Sequence, residues 1–376
     1  MKNLKQLPSP CFLLDEKSLM DNLRIIDRVR HESGAEVIVA LKACAMWSIF
    51  PILALHSDGA TASSLSEARL VYEEYGEAAH TYAPVYTDSE IDEILTLSSH
   101  ITFNSLSQYS RFAERAHAQG VSCGLRVNPR YSPVETDLYN PCVAGSRLGI
   151  PPEELAELPE GVEGLHFHVL CESRSHHLRL ALEAIERHYA HLLPKLKWLN
   201  MGGGHLMTHE EYDTEDLISL LKEFGAKYPH LRLILEPGSA FTWRTGSLTA
   251  RIEDIVRNEG VKTAMLNVSF ACHMPDCLEM PYKPSIIGAR DPKDEESGWR
   301  LGGNSCLAGD FMGEWIFDRE PEVGDEIIFE DMIHYTMVKT TMFNGVSHPS
   351  IAIKRANGEV EVVKKFGYED YKNRMS

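Results

Sequence analysis

Between Glu36 and Glu236 the chain repeats one pattern: a short run of β-branched and apolar residues, then a longer amphipathic segment with helical spacing. Eight such runs can be read, at Glu36 to Lys42, Ala60 to Ser64, His80 to Val85, His100 to Asn104, Ser122 to Asn128, Gly164 to Leu170, Lys197 to Met201 and Arg232 to Glu236. Strands joined by helices run parallel, because each connection has to cross back over the sheet. Eight of them over about 200 residues predict a (β/α)8 barrel of the TIM type, with the doubly wound open sheet as the alternative.

The texture differs on either side. Cys11 to Leu14, fenced by Pro8 and Pro10, reads as a strand, and Glu16 to Ser33 as a helix. Beyond Phe241 short alternating runs are broken by Gly246, Gly288, Gly302, Gly309, Gly324 and Gly345, which predicts an antiparallel β domain. The expected division is therefore an N-terminal strand, 1–14, that joins the β domain, a barrel over 15–240, and the β domain proper over 241–376.

A parallel barrel makes a prediction about chemistry, since functional groups gather where its strands end. The ends of the eight runs supply Lys42, Thr61 with Ser64, Arg126, His168, the glycines Gly202, Gly203 and Gly204, and Glu236. Singly, each has a bland reading. Lys42 is the only charge between Val37 and Leu55 and could be an ordinary strand-end lysine; a membrane span is disfavoured by that charge and by Pro51. The glycines could form a plain turn, His168 could be a core histidine beside His166, Arg126 could pair with a structural carboxylate, and Glu236 could cap a turn. His188 and His191 stand three apart on a helix without a carboxylate to complete a ligand set, so no metal is expected.

Taken together, the strand ends match the needs of a pyridoxal phosphate site. Lys42 would be the amine nucleophile, with burial lowering its pKa. Glu236 would keep the pyridine nitrogen protonated, His168 would lie on the ring, Arg126 would support the pyridine side and the glycine amides would hold the phosphate.

Composition limits the partners. The net charge of −18, from 37 basic and 55 acidic side chains, argues against nucleic acid or an anionic membrane and favours a cationic ligand. Eight cysteines without a CxxC pair, and an N-terminus lacking a continuous apolar core, predict reduced thiols and a cytoplasmic address.

These motifs make the chain similar to the alanine racemase and ornithine decarboxylase fold family of pyridoxal phosphate enzymes. The resemblance implies that ALKA carries the Schiff base lysine, Lys42; FHV the stacking His168; MGGG the phosphate loop with Gly203 and Gly204; and EPG the acid Glu236, followed by Gly238 and Ser239. Thr61, Ser64 and Arg126 would complete the cofactor site. CLAGD would carry Cys306, the expected proton donor, and Asp310, while YT followed later by FNG would carry a phosphate-binding Tyr335. The segment HMPDCLEMPY resembles a subgroup that decarboxylates carboxynorspermidine and carboxyspermidine, which implies that Asp276, Glu279 and Asp310 bind a cationic tail. The family also implies a homodimer whose two sites are shared between subunits. Three positions depart from its usual pattern: Ser239 replaces an arginine, Leu307 replaces the glutamate of diaminopimelate enzymes, and Thr61 replaces an acid. The first shifts phosphate neutralisation onto amides and hydroxyls, and the second disfavours a substrate with a second carboxylate.

Overall fold

The computed structural model describes residues 7–280 and 282–376, and its first strand, β1 (Cys11–Asp15), runs directly into the helix Glu16–Ser33. Asp15 caps that helix by accepting the backbone N–H of Lys17 at 2.9 Å. By contacts the chain divides into two units: Asn22–Phe241, and the residues up to Asp21 together with Thr242–Ser376.

In the first unit nine short strands pair in parallel: β2 (Glu36–Val37), β3 (Val39–Ala40), β4 (Ala60–Ala62), β5 (Ala79–Tyr82), β6 (Ser98–Phe103), β7 (Ser122–Arg126), β8 (Val162–His166), β9 (Trp198–Asn200) and β10 (Arg232–Leu235). β2 and β3 are two halves of the first predicted strand. β2 pairs with β10 and β3 with β4, so the strand that breaks at Ile38 is also the one that closes the ring. Ile38 donates its N–H to Leu235 at 2.9 Å, and the next residue, Val39, donates to Gly59 at 3.0 Å on the other side. The eight strand positions read from the sequence thus form the expected barrel.

One connection departs from the alternation. Among the described residues, 127–161 between β7 and β8 contain only the single 3₁₀ turns Asp137–Tyr139 and Pro152–Glu154. Six prolines between Pro129 and Pro159 account for it, since each removes a helical hydrogen bond and clashes with the preceding turn.

One large side chain shapes the packing between the barrel strands. Trp198 lies across the interior with Ile38 and Ile234 buried beside it, and its indole Nε1 donates to Ser122 Oγ at 2.9 Å. A Cβ on Gly124 or on Gly164 would overlap the indole ring, so two strands lack side chains where a third sends its largest. Gly164→Ala is expected to lose about 1–3 kcal/mol through overpacking. Urea denaturation checks it, and Gly164→Ala combined with Trp198→Leu should recover part of the loss.

The second unit is a nine-stranded sheet built from β1, β11 (Gly246–Asn258), β12 (Val261–Leu266), β13 (Ala289–Arg290), β14 (Trp299–Gly302), β15 (Phe311–Phe317), β16 (Glu326–Glu330), β17 (Ser350–Lys354) and β18 (Val360–Lys364). It is mixed and not purely antiparallel as expected: β1 runs parallel to β17, and β12 parallel to β14. Both exceptions join strands far apart in sequence, where the chain has the length to cross over; hairpin neighbours such as β11 and β12 stay antiparallel.

Candidate active site

Lys42 sits in the turn that follows β3, where Ala43 donates its N–H back to Ala40 at 3.1 Å. Its side chain keeps accessible surface because it projects into a cleft, and the cleft's walls supply much of its surroundings. That enclosure lowers the amine pKa, with Arg126 acting in the same direction and Glu236 and Glu67 opposing. The cleft is lined by Lys42, Thr61, Ser63, Tyr82, Arg126, His166, His168 and Glu236.

Parallel register aligns the floor of this cleft. Arg126 at the end of β7 stands opposite His166 at the end of β8, and His166 stands opposite Asn200 at the end of β9. Glu236 follows β10, and its Oε1 accepts Asn200 Nδ2 at 2.7 Å. Burial raises the Glu236 pKa, while the Asn200 bond, Lys42, the Thr61 hydroxyl and Arg126 pull it back. Arg126 is 4% exposed. It lies over the Tyr82 ring, 4.7 Å from its centre, and donates to the His168 carbonyl at 3.3 Å.

The glycine run follows β9. Gly202 and Gly204 have φ of 67° and 88°, and a Cβ on any of Gly202, Gly203 or Gly204 would strike the backbone after β8 or β10. Gly203 donates its N–H to His168 Nδ1 at 3.0 Å. That bond makes Nδ1 an acceptor, so a neutral His168 carries its proton on Nε2, which lies 3.4 Å from Lys42 Nζ. Burial, with Lys42 and Arg126 adding to it, holds the His168 pKa well below the ordinary histidine value. The Nε2–H of a neutral His168 can donate towards the Lys42 amine whenever that amine is unprotonated.

The structure places Lys42, Thr61, Arg126, His168 and Glu236 in one cleft. Ser64, expected beside them, instead caps the helix Leu65–Leu70 by accepting the Glu67 N–H at 3.2 Å. Ser63 lines the cleft in its place: β4 ends at Ala62, and in the bend that follows Ser63 borders the cleft while Ser64 is taken up by the helix cap. The Gly203 amide, expected to face a phosphate, is committed to His168. Gly204 and Gly238 find no acceptor for theirs among the described residues. Gly238 packs closely on Ala43, and Ser239 opens the short helix Ser239–Thr242.

The remaining predicted residues belong to the second unit. Cys306 is exposed, and its backbone N–H is held by Asn344 Oδ1 at 2.8 Å. Asp310 is 4% exposed, and its two carboxylate oxygens accept the N–H groups of Ala271 and Ser305, each at 3.0 Å. In the single chain it is therefore a scaffold for the Gly302 to Asp310 loop and not an open anion for a cationic tail. Asp276 forms an ion pair with Lys339, Glu279 is exposed, and Tyr335 adopts a left-handed φ of 54°. Sequence reading missed Ser63, Tyr82, His166 and Asn200. Tyr82 and Asn200 end their strands as polar residues, and that signal could have found them.

Residues 37–333 match the family described as pyridoxal-dependent decarboxylase, C-terminal sheet domain. The chain belongs to this decarboxylase family. It is 52% identical over 373 residues to the carboxyaminopropylagmatine decarboxylase of Synechocystis sp., covering 99% of this chain and 96% of that one. It is 39% identical over 379 residues to a carboxynorspermidine/carboxyspermidine decarboxylase of Campylobacter jejuni, covering 98% of each. The crystal structure of carboxynorspermidine decarboxylase from Campylobacter jejuni, complexed with norspermidine, superposes with a TM-score of 0.90 at 38% identity, over 98% of this chain and all of that one. Membership of the family makes the protein an enzyme, a carboxy-lyase. Among the described residues no helix is long and apolar enough to cross a membrane.

Proposed function

We propose that this enzyme decarboxylates carboxynorspermidine and carboxyspermidine with pyridoxal 5'-phosphate as its cofactor. The observation that carries the reading is a depressed-pKa lysine and a buried carboxylate sharing one cleft above a glycine run. The residues fit the group: a lysine, a buried carboxylate and a histidine converge on one cleft, and the amides of Gly204 and Gly238 have no acceptor among the described residues.

When bound, the cofactor supplies an electron sink for the pair released as the α-carboxylate departs. Lys42, its pKa lowered by burial, would be the amine that carries the cofactor, and that shift favours its nucleophilic form. Glu236 holds a proton at the pyridine nitrogen, with Asn200 and Thr61 fixing its carboxyl. His168, locked in the Nε2–H tautomer by Gly203, offers a flat apolar face. The amides of Gly204 and Gly238 and the Ser239 hydroxyl would hold the phosphate, which suits a chain lacking an arginine at position 239.

Cys306 returns a proton to the α-carbon after carbon dioxide leaves. The same proposal makes the working unit a homodimer in which one subunit's Cys306, Asp276, Glu279 and Tyr335 complete the other's cleft. An exposed thiol on a loop pinned by Asn344 and Asp310 supports that part.

The 52% identical relative supports a second reading, in which the substrate is carboxyaminopropylagmatine and its far end is a guanidinium in place of an ammonium. Carbon dioxide release by the purified enzyme separates these. Turnover should be at least about a hundredfold faster on the three carboxylated polyamines than on diaminopimelate or ornithine, a margin of roughly 2.7 kcal/mol. Preference for either amino acid would overturn the polyamine reading, and the ranking among the three chooses between the first and second.

A further inference from the structure

His166 is 2% exposed, and neither of its ring nitrogens has a hydrogen-bond partner among the described residues. A buried imidazole in that state loses its hydration without compensation, and native proteins rarely leave such a group unexplained. Its surroundings give direction. Nε2 lies 3.7 Å from Glu236 Oε2, just beyond hydrogen-bond reach, while the other Glu236 oxygen takes the Asn200 amide at 2.7 Å. The Tyr82 ring, 5.3 Å away, covers it from β5.

Glu236 is thus held at Oε1 by Asn200, with the Thr61 hydroxyl also bonded to its carboxylate, and Oε2 faces His166 as a further donor in reserve. We infer that His166 is a positioning residue that stabilises the ionised form of Glu236 by donating its Nε2–H to Oε2 when the carboxyl loses its proton. The movement required is less than 1 Å, since 3.7 Å has to close to about 2.9 Å. His166 can do this as a neutral ring. Burial, Arg126 and Lys42 keep its pKa well below the ordinary value, and with Nδ1 unpartnered nothing opposes the Nε2–H tautomer. The charged and titratable groups facing the pair are Lys42 from the turn after β3, Arg126 from β7, His168 beyond β8 and Tyr82 from β5.

The inference rests on the reading that Glu236 faces the pyridine nitrogen for its consequence in catalysis, but its test does not. Difference infrared spectroscopy of the full-length protein against Glu236→Gln reports the carboxyl's titration directly, in both cofactor-loaded and cofactor-free samples. His166→Phe, which fills the space without a donor, is expected to raise the Glu236 midpoint by about one pH unit, a tenfold change in its ionisation constant. His166→Asn, which keeps an N–H, should restore most of it. In the loaded enzyme the same shift should move the acid limb of kcat upward while KM stays within about twofold. Where the phenyl ring prevents folding, His166→Ala is the donor-less variant and is read in the same way. An unmoved midpoint in the donor-less variant, or an Asn variant that shifts as far as it does, overturns the inference. A midpoint that moves as stated in an enzyme without polyamine decarboxylase activity upholds it and rejects the functional reading alone.

Discussion

Lys42→Ala should lower carbon dioxide release by on the order of 10⁴ or more, the scale seen when a covalent nucleophile is removed. It should also abolish the borohydride-stable link between cofactor and protein. The same loss is expected for Lys42→Arg, and the pair of variants isolates the reason. Arginine keeps a cation at the position but stays protonated at any working pH, so it cannot present a lone pair. If Lys42 served only as a charge beside Glu236, the arginine enzyme would keep much of its activity. Neither variant should unfold the barrel. Among the described residues the Lys42 amine has a hydrogen-bond contact only with His168 Nε2, at 3.4 Å, so the alanine variant gives up little of the fold, and the arginine variant, which sets a permanent cation near Arg126, is the one thermal denaturation has to check. The checks are turnover, borohydride trapping followed by peptide mapping, and thermal denaturation. Activity of Lys42→Arg within tenfold of the native enzyme would end the assignment.

What could be read beforehand followed from the regularity of parallel strands. A strand buried on both faces is apolar along its length, so a charged or glycine terminus stands out against the run that precedes it. Lys42, Arg126, His168, Glu236 and the glycines were legible for that reason, and all are brought to one cleft or its rim. Ser63 and Ser64 were not separable, because both lie in the bend after β4, where strand alternation no longer says which side chain borders the cleft. Asn200 and His166 show in the sequence only as polar strand ends; that Asn200 holds Glu236 and that His166 stands 3.7 Å from it are matters of register between strands. The parallel pairing of β1 with β17 brings together opposite ends of the chain, and no local pattern encodes it. Asp310 reads as a free acid in sequence because nothing nearby announces that the amides of Ala271 and Ser305 will occupy it.

Glu236→Gln should slow kcat by roughly 10²–10⁴, the range attributed to one positioned acid–base group, and leave KM less changed. The amide matches the carboxyl in shape and can keep its oxygen towards Asn200, so the cleft should stay intact. What it cannot do is hold a proton at the pyridine nitrogen: its NH₂ group donates to an unprotonated nitrogen, which weakens the ring's capacity to accept the electron pair. Stability should move the opposite way. The Glu236 pKa is raised in the folded protein, so above the ordinary carboxylate range the folded state binds more protons than the unfolded chain, and stability falls as pH rises through that window. Glutamine does not titrate and escapes this loss. At pH 7 the variant is therefore expected to melt at the same temperature as the native enzyme or a few degrees above it, while turning over far more slowly. A buried carboxyl that weakens the fold while it serves the reaction is the trade expected at an active site. Steady-state kinetics and calorimetry on one preparation test both halves. Near-native kcat would transfer control of the pyridine nitrogen to another group, and a lower melting temperature would make Glu236 a structural acid after all.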